Sequence, residues 1–304
     1  DDSSKPSWKA SEKLDALDWE SRKIVYSTSA SLAKGADFKP SVAGLTDLQV
    51  NYIRGERDNE LKNDGGIFRN RTSVLGDIAH STPFYVGATE NKFYERFSEW
   101  EATERTSYAA FLATNKEREK AVYVGSNSGM LHAFNADDGE ELFAYIPHEM
   151  LAKLPNITSK DYLHEYYVDG SVVVADAYVS GDWKSVLVGT TGRGGKNVFA
   201  LDVTDPESFD AESVLWEKSI PELGNYTGKP VIAKLRDDKW YAILGSGVNS
   251  SNLGASLILL PLDGGTHKVI TAATGTALAS NGLFQPEGWD IDNSGRIGRV
   301  FAGD

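Results

Sequence analysis

Cysteine is absent from this 304-residue sequence, which excludes disulfides, Cys-ligated zinc, iron–sulfur clusters and thiol catalysis together. It leaves the compartment open, because an exported chain can also be stabilised by packing or by bound ions. No run approaches the roughly 18 apolar residues that a bilayer-spanning helix needs, so no membrane-spanning segment is expected. The start, Asp1-Asp2-Ser3-Ser4, lacks the basic-then-apolar pattern of a signal peptide. The chain is expected either never to have carried one or to begin downstream of one. Basic residues are outnumbered 31 to 44, for a net charge of −13. Such a surface repels phosphate backbones, where cationic contacts supply most of the affinity, so no nucleic acid is expected as a partner. Histidine is scarce as well. His80, His132, His148, His164 and His267 are scattered, with no close pair at helical or zinc-like spacing.

What the sequence does hold is apolar material, 40% of it, enough for a substantial core in one large domain or two modest ones. Residues 1–75 read as a lead-in segment that packs on the rest of the chain. Lys9 to Ser21 mixes charges with Leu14, Leu17 and Trp19 and is followed by Ile24-Val25-Tyr26, which predicts short helices and a strand. Lys92 to Lys120 carries Phe93, Phe97, Trp100, Tyr108, Phe111 and Leu112 at spacings near three and four. That spacing predicts an amphipathic helical insertion between strands.

The remainder, residues 76–304, repeats. Phe84-Tyr85-Val86-Gly87, Val122-Tyr123-Val124-Gly125, Val186-Leu187-Val188-Gly189, Ala242-Ile243-Leu244-Gly245 and Val300-Phe301-Ala302-Gly303 each set three mainly strand-forming residues before a glycine, and the last four glycines fall 64, 56 and 58 residues apart. A second strand follows at Met130 to Asn135, Asn197 to Asp202 and Ala255 to Leu260, then an outer one at Glu141 to Ile146 or Val214 to Glu217. One such meander cannot cover both its faces, and meanders stacked around an axis bury them against neighbours. The expected fold is all-β: a partial β-propeller of about four blades, with helical insertions and an N-terminal lead-in. A β-sandwich also has many short strands, but units this long and this alike favour the propeller. The glycines suit turns that need positive φ or close backbone approach. Most of the aromatic residues are expected between blades.

Several phrases, in order, resemble the PilC/PilY family of type IV pilus tip-associated adhesins. They are Asn51 to Glu56, Arg69-Asn70-Arg71 leading into Leu75 to Pro83, Val122 to Phe134, Gly192 to Pro206, and the ending Asp290 to Asp304. The likeness runs from about residue 51 to the end. It implies a propeller that follows a large adhesive domain and works without catalysis in pilus assembly, control of retraction and surface adhesion. The implied partners are minor pilins or the pilus tip complex, and a host or abiotic surface reached through the missing N-terminal domain. The implied location is exported: the pilus tip, cell surface or outer membrane of a Gram-negative bacterium. The family propeller is usually longer, so the chain is expected to be cut at both ends and to stop inside a blade just after Gly303.

The family also carries a calcium loop on one blade. In Asp290-Ile291-Asp292-Asn293-Ser294-Gly295-Arg296-Ile297-Gly298, oxygen-bearing side chains stand at positions 1, 3 and 5, glycine at 6 and the Arg296 backbone carbonyl at 7, the pattern of such a loop. The ninth position, where the family loop carries another Asp, is Gly298, and the twelfth, where an EF-hand has its bidentate Glu, is Phe301. The expected metal site is therefore Asp290, Asp292, Ser294 and the Arg296 carbonyl, degenerate at Gly298, with calcium held weakly or not at all. The competing reading is an Asx-rich turn in which Asp290 and Asp292 accept backbone N–H groups.

No catalytic or cofactor-binding residue is expected. Gly189 to Asn197 looks like a phosphate loop, yet it has neither the Gly-Lys-Ser/Thr of a Walker motif nor a glycine at position 197, and it reads as a flexible hairpin. Gly125 to Gly129 has Asn127 where a nucleophile elbow needs Ser. Ser126, His132 and Asp137 form a triad only if folding unites them, and His132 reads as a hydrogen-bonded structural residue. Asp77 and His80, beside Arg69 and Arg71, read as a buried network tying the lead-in to the blades. Two other functions compete. Ala133-Phe134-Asn135 with Gly139 to Phe143 resembles a quinoprotein-like dehydrogenase repeat, but that repeat ends in Trp, and the cysteine pair often found at the quinone site is impossible here. An unspecialised propeller scaffold is the other alternative.

Overall fold

A computed structural model describes residues 7–30, 34–87, 94, 97–226, 228–251, 253–276 and 281–303. Asp1 to Ser4, Lys92 and Phe93 of the predicted insertion, and Asp304 lie outside the described residues. The chain is mostly β, with several antiparallel sheets and few helices. It begins with α1 (Ala10–Ala16), β1 (Ile24–Ser27), β2 (Gly35–Asp37) and α2 (Asp47–Arg54). Next come β3 (Phe84–Val86), α3 (Ala102–Thr114), β4 (Ala121–Gly125), β5 (Leu131–Asn135) and β6 (Glu141–Ile146), then α4 (His148–Leu151) and α5 (Leu154–Thr158). A four-stranded sheet is formed by β7 (Val172–Val179), β8 (Asp182–Thr190), β9 (Asn197–Asp202) and β10 (Val214–Ser219). Another comprises β11 (Val231–Lys234), β12 (Trp240–Gly245), β13 (Ala255–Pro261) and β14 (Lys268–Ala273), and a two-stranded sheet pairs β15 (Glu287–Trp289) with β16 (Arg299–Phe301).

The glycine phrases fall into register with this topology. Gly125, Gly189 and Gly245 lie at or near the ends of β4, β8 and β12, the second strand of each meander, and Gly303 comes after β16, the second strand of the last pair. Gly87 comes after a first strand, β3, so its phrase is not a copy of the others. The physical need at Gly125 and Gly245 is closeness of backbone rather than positive φ. A Cβ there would collide with the carbonyl oxygens of Val168 and Leu283, which belong to the segments leading into β7 and β15.

Successive side chains on the middle strands point to opposite cores. Leu187, Phe199 and Leu201 pack toward the first sheet with Tyr123, Phe143 and Tyr145, while Val186, Val188 and Val198 pack toward the third with Ala242, Leu244 and Ile258. The far face of the third sheet, Ala233, Tyr241, Ile243 and Leu259, meets Ile297 and Val300 around the terminal pair. The sheets therefore stack in series, and their first strands run side by side, β3 on β7, β7 on β11 and β11 on β15.

The strand predicted at Ile24-Val25-Tyr26 forms and joins the first sheet. β1 lies parallel to β6, pairing Ile24 with Ala144 and Tyr26 with Ile146, and β2 adds outside it, so that sheet has six strands in the order β2-β1-β6-β5-β4-β3. Arg54 at the end of α2 is buried and donates to the carbonyls of Phe38, Trp19, Glu20 and Arg22 at 2.7–3.1 Å, which gathers the segment into one piece.

The insertion is helical over a shorter span than its aromatic spacing predicts. Tyr108, Phe111 and Leu112 lie on α3, whereas Phe97 and Trp100 sit in the turn before it. Together with Tyr94 they surround Trp183 of β8 and Trp240 of β12. The insertion leaves the first sheet and caps the second and third.

Candidate functional site

The loop between β15 and β16 is built from local hydrogen bonds. The Asp290 carboxylate accepts from the backbone N–H of Ser294 at 3.1 Å and of Gly295 at 2.7 Å, while Asn293 and Gly295 take left-handed φ values of 55° and 76°. Gly298 N–H closes the loop on the Trp289 carbonyl at 3.1 Å. Asp290 thus follows the Asx pattern. Asp292 does not: its Oδ2 accepts from Arg236 Nη2 at 2.9 Å, across from the turn that joins β11 to β12. The Ser294 hydroxyl first, with the Arg236 charge adding, holds the Asp292 carboxyl below its ordinary range. The Ser294 carbonyl accepts from the Trp100 indole at 2.7 Å, and the Arg296 side chain reaches back to Asp238 at 2.8 Å and the Glu99 carbonyl at 3.0 Å.

These donors fall short of a calcium cage. Calcium takes six to eight oxygens, and here three side chains and one carbonyl are on offer, with the Asp290 carboxylate engaged by two backbone amides and that of Asp292 by Ser294 and the Arg236 guanidinium. Among the described residues no three His, Asp or Glu side chains gather as a metal site.

A second constellation lies inside the first sheet. His132 Nε2 is 3.1 Å from Ser126 Oγ and 3.0 Å from Ser128 Oγ, and its Nδ1 is 2.7 Å from Glu141 Oε1. Arg22 grips the same carboxylate through Nε at 2.6 Å and Nη2 at 2.9 Å. Asp137, the third member imagined from sequence, is elsewhere, paired with Lys120 at 3.0 Å. Glu141 takes its place because β5 and β6 are adjacent antiparallel strands. Burial depresses the His132 pKa and favours the neutral ring. Burial alone would raise Glu141, but the Arg22 charge and the bonds from His132 and Arg22 outweigh it and hold the carboxyl at about 2. With His132 and Ser126 both about 1% exposed, the arrangement reads as a buried structural network around the Arg22–Glu141 ion pair.

The other polar residues singled out from sequence do not form one network. Asp77 meets His164 at 3.0 Å and Asn127 at 2.7 Å, whereas His80 meets Asp169 at 2.7 Å. Arg71 pairs with Glu60 at 3.0 Å, and Arg69 donates to the Ile157 carbonyl at 2.6 Å. Asp77, His164, Arg69 and Arg71 line a cavity of about 350 Å³, with these polar groups already engaged. The Gly189 to Asn197 loop does receive an anion, and it is the chain's own: Glu149 Oε2 accepts from Lys196 N–H at 3.0 Å. A longer-range signal was needed for Arg22, Glu149 and Arg236, whose partners lie 47 or more residues away.

The repeated meanders have a known counterpart. A family model described as the PilY1 beta-propeller domain matches residues 75–304. The chain belongs to this family. It is 42% identical over 296 residues to a type IV pilus biogenesis factor PilY1 homolog of Xylella fastidiosa, covering 94% of this chain and 23% of that protein. It is 38% identical over 262 residues to the PilY1 type IV pilus biogenesis factor of Pseudomonas aeruginosa strain PAK, covering 84% of this chain and 22% of that protein. The likeness thus extends upstream of residue 51 into the lead-in. The crystal structure of the Pseudomonas aeruginosa PilY1 C-terminal domain aligns with a TM-score of 0.59 and 36% identity over 72% of this chain and 43% of that one. The chain spans less than a quarter of the length of these curated PilY1 relatives. No helix among its described residues is long and apolar enough to cross a membrane.

Proposed function

We propose that this chain is a partial propeller of about four blades that serves, without catalysis, in a PilY1-type pilus biogenesis factor. The meanders β3–β6, β7–β10 and β11–β14 are three blades, β15–β16 opens a fourth, and residues 1–75 are a lead-in to the propeller of residues 76–304. The side-by-side first strands support this reading, because blades arranged around an axis bring their innermost strands together. Its task is pilus assembly, control of retraction and surface adhesion, exported to the pilus tip, cell surface or outer membrane of a Gram-negative bacterium. Minor pilins or the pilus tip complex are its partners, and a host or abiotic surface is reached through a domain outside this chain.

The observation that carries the reading is identity of about two residues in five across nearly the whole chain to a pilus biogenesis factor homolog. Affinity purification of the full-length protein from piliated cells tests it. Minor pilins should co-purify, and a form lacking residues 76–304 should lose them. Equal recovery with and without those residues contradicts a role for this chain in the tip complex.

A further inference from the structure

We propose that a reciprocal exchange of two arginine–aspartate pairs does, in the loop between β15 and β16, the charge-compensating work of a bound cation. The inference concerns this loop alone and does not depend on the pilus reading.

Each side of the contact gives one arginine and takes one. Arg236, on the turn after β11, donates to Asp292 of the loop at 2.9 Å. Arg296, on the loop, reaches Asp238 of the same turn at 2.7 Å through Nη2 and 2.8 Å through Nε. The backbone runs in step with this exchange: Ile297 N–H donates to the Lys234 carbonyl at 2.8 Å, and Leu235 and Ile297 form a bridge. A single exposed ion pair contributes little, whereas several charges in fixed geometry contribute more. The Arg296 side chain is only 12% exposed, whereas its partner Asp238 and both members of the other pair face solvent, so the fixed geometry of Arg296 carries most of the contribution.

Gly298 leaves room for the Arg236 guanidinium. It stands at the ninth position, a ligand position in calcium loops. A Cβ built there would lie 2.9 Å from Arg236 Nε and 3.0 Å from its Nη2. A ninth-position carboxylate and the Arg236 guanidinium therefore compete for one volume. In this chain the guanidinium occupies it and brings positive charge to Asp292 from a neighbouring sheet.

Thermal melts of the full chain in calcium and in chelator test the exchange. Extracellular calcium modules bind at about 0.1–1 mM, so calcium at roughly 5 mM fills even a weak site. The wild-type melting temperature should agree in the two solutions within about 1 °C. Arg296→Met, which keeps the apolar stem, should lower it by about 2–4 °C equally in both. The double variant Arg236→Ala/Gly298→Asp should become calcium-dependent, several degrees more stable with the ion than without. A calcium-induced rise in the wild type, or a folded double variant indifferent to calcium, overturns the proposal. Calorimetric titration of calcium into the wild type needs no variant to fold: no binding heat is expected, and saturable binding overturns the proposal.

Discussion

Glu104, on the insertion helix, meets Lys234, on the first strand of the third sheet, with 2.5 Å between Oε2 and Nζ and both side chains 3% exposed or less. The same carboxylate accepts from the Trp240 indole at 2.9 Å, and the Glu104 carbonyl accepts from the Trp183 indole at 2.7 Å. One residue of an excursion from the first sheet is thereby bonded to the second and the third. Removing one partner of a buried pair strands the other charge, at a cost of about 3–5 kcal/mol. Glu104→Ala should lose about that much stability in denaturant titrations. Glu104→Leu combined with Lys234→Met should lose much less, and a double variant as unstable as the single one contradicts the ion-pair account.

The Arg22, Glu141 and His132 cluster sets the acid limit. Glu141 titrates at about 2 in the folded chain, below its ordinary value, so its stabilisation is complete above the ordinary carboxyl range and fades as pH falls toward 2. His132 is also depressed, and its contribution fades as pH falls below the ordinary histidine value. Both act in one direction. The melting temperature should decline steadily from about pH 6 downward. Glu141→Gln should flatten the lower limb while costing about 3–5 kcal/mol at neutral pH, because Arg22 is left unpaired.

Glu217 behaves in the opposite sense. It is buried between the first and second sheets, accepts from Tyr145 Oη at 2.8 Å and His148 N–H at 2.9 Å, and also bonds Asn197. Burial raises its pKa despite those bonds. A carboxyl raised on folding contributes stability that is present below its ordinary range and is lost as pH rises through its folded value. Glu217→Gln should therefore stabilise the chain by an amount of order 1 kcal/mol at about pH 8 and by little at about pH 4. Equal effects of the substitution at the two pH values contradict a raised carboxyl.

The repeat glycines make an internally controlled comparison. A Cβ at Gly245 collides with the backbone carbonyls of Leu283 and Phe284, whereas one at Gly303 has nothing within 4 Å. Gly245→Ala should cost about 3 kcal/mol, the upper end for overpacking. Gly303→Ala should stay within about 0.5 kcal/mol of wild type.

The second strands were legible because mainly apolar runs end in glycine, as at Val186 to Gly189, and the third strands because a mainly apolar run follows, ending in Asn or Asp in two of three cases, as at Asn197 to Asp202. The edge strand Lys268–Ala273 was not, because although Val269 and Ile270 are apolar, no glycine or Asn/Asp turn closes the run directly. The parallel seat of Ile24–Ser27 against Glu141–Ile146 was hidden for a different reason. Parallel pairing joins segments far apart in sequence, so no local pattern announces it. The loop at Asp290 to Gly298 was located by its spacing, and its departure at Gly298 was visible. What fills that departure, Arg236, lies 56 residues away from its partner Asp292 on a turn that resembles any other charged turn. Glu141 was overlooked beside His132 because nine residues of separation become a contact only across the β5–β6 register.

The most direct test of a role in pilus biogenesis is a count of surface pili. Cells lacking the full-length protein would be supplied with it either intact or with residues 76–304 deleted, at matched export levels. The intact protein should restore pili, and the deleted form should leave the surface bare or nearly so. Full piliation by the deleted form contradicts that role.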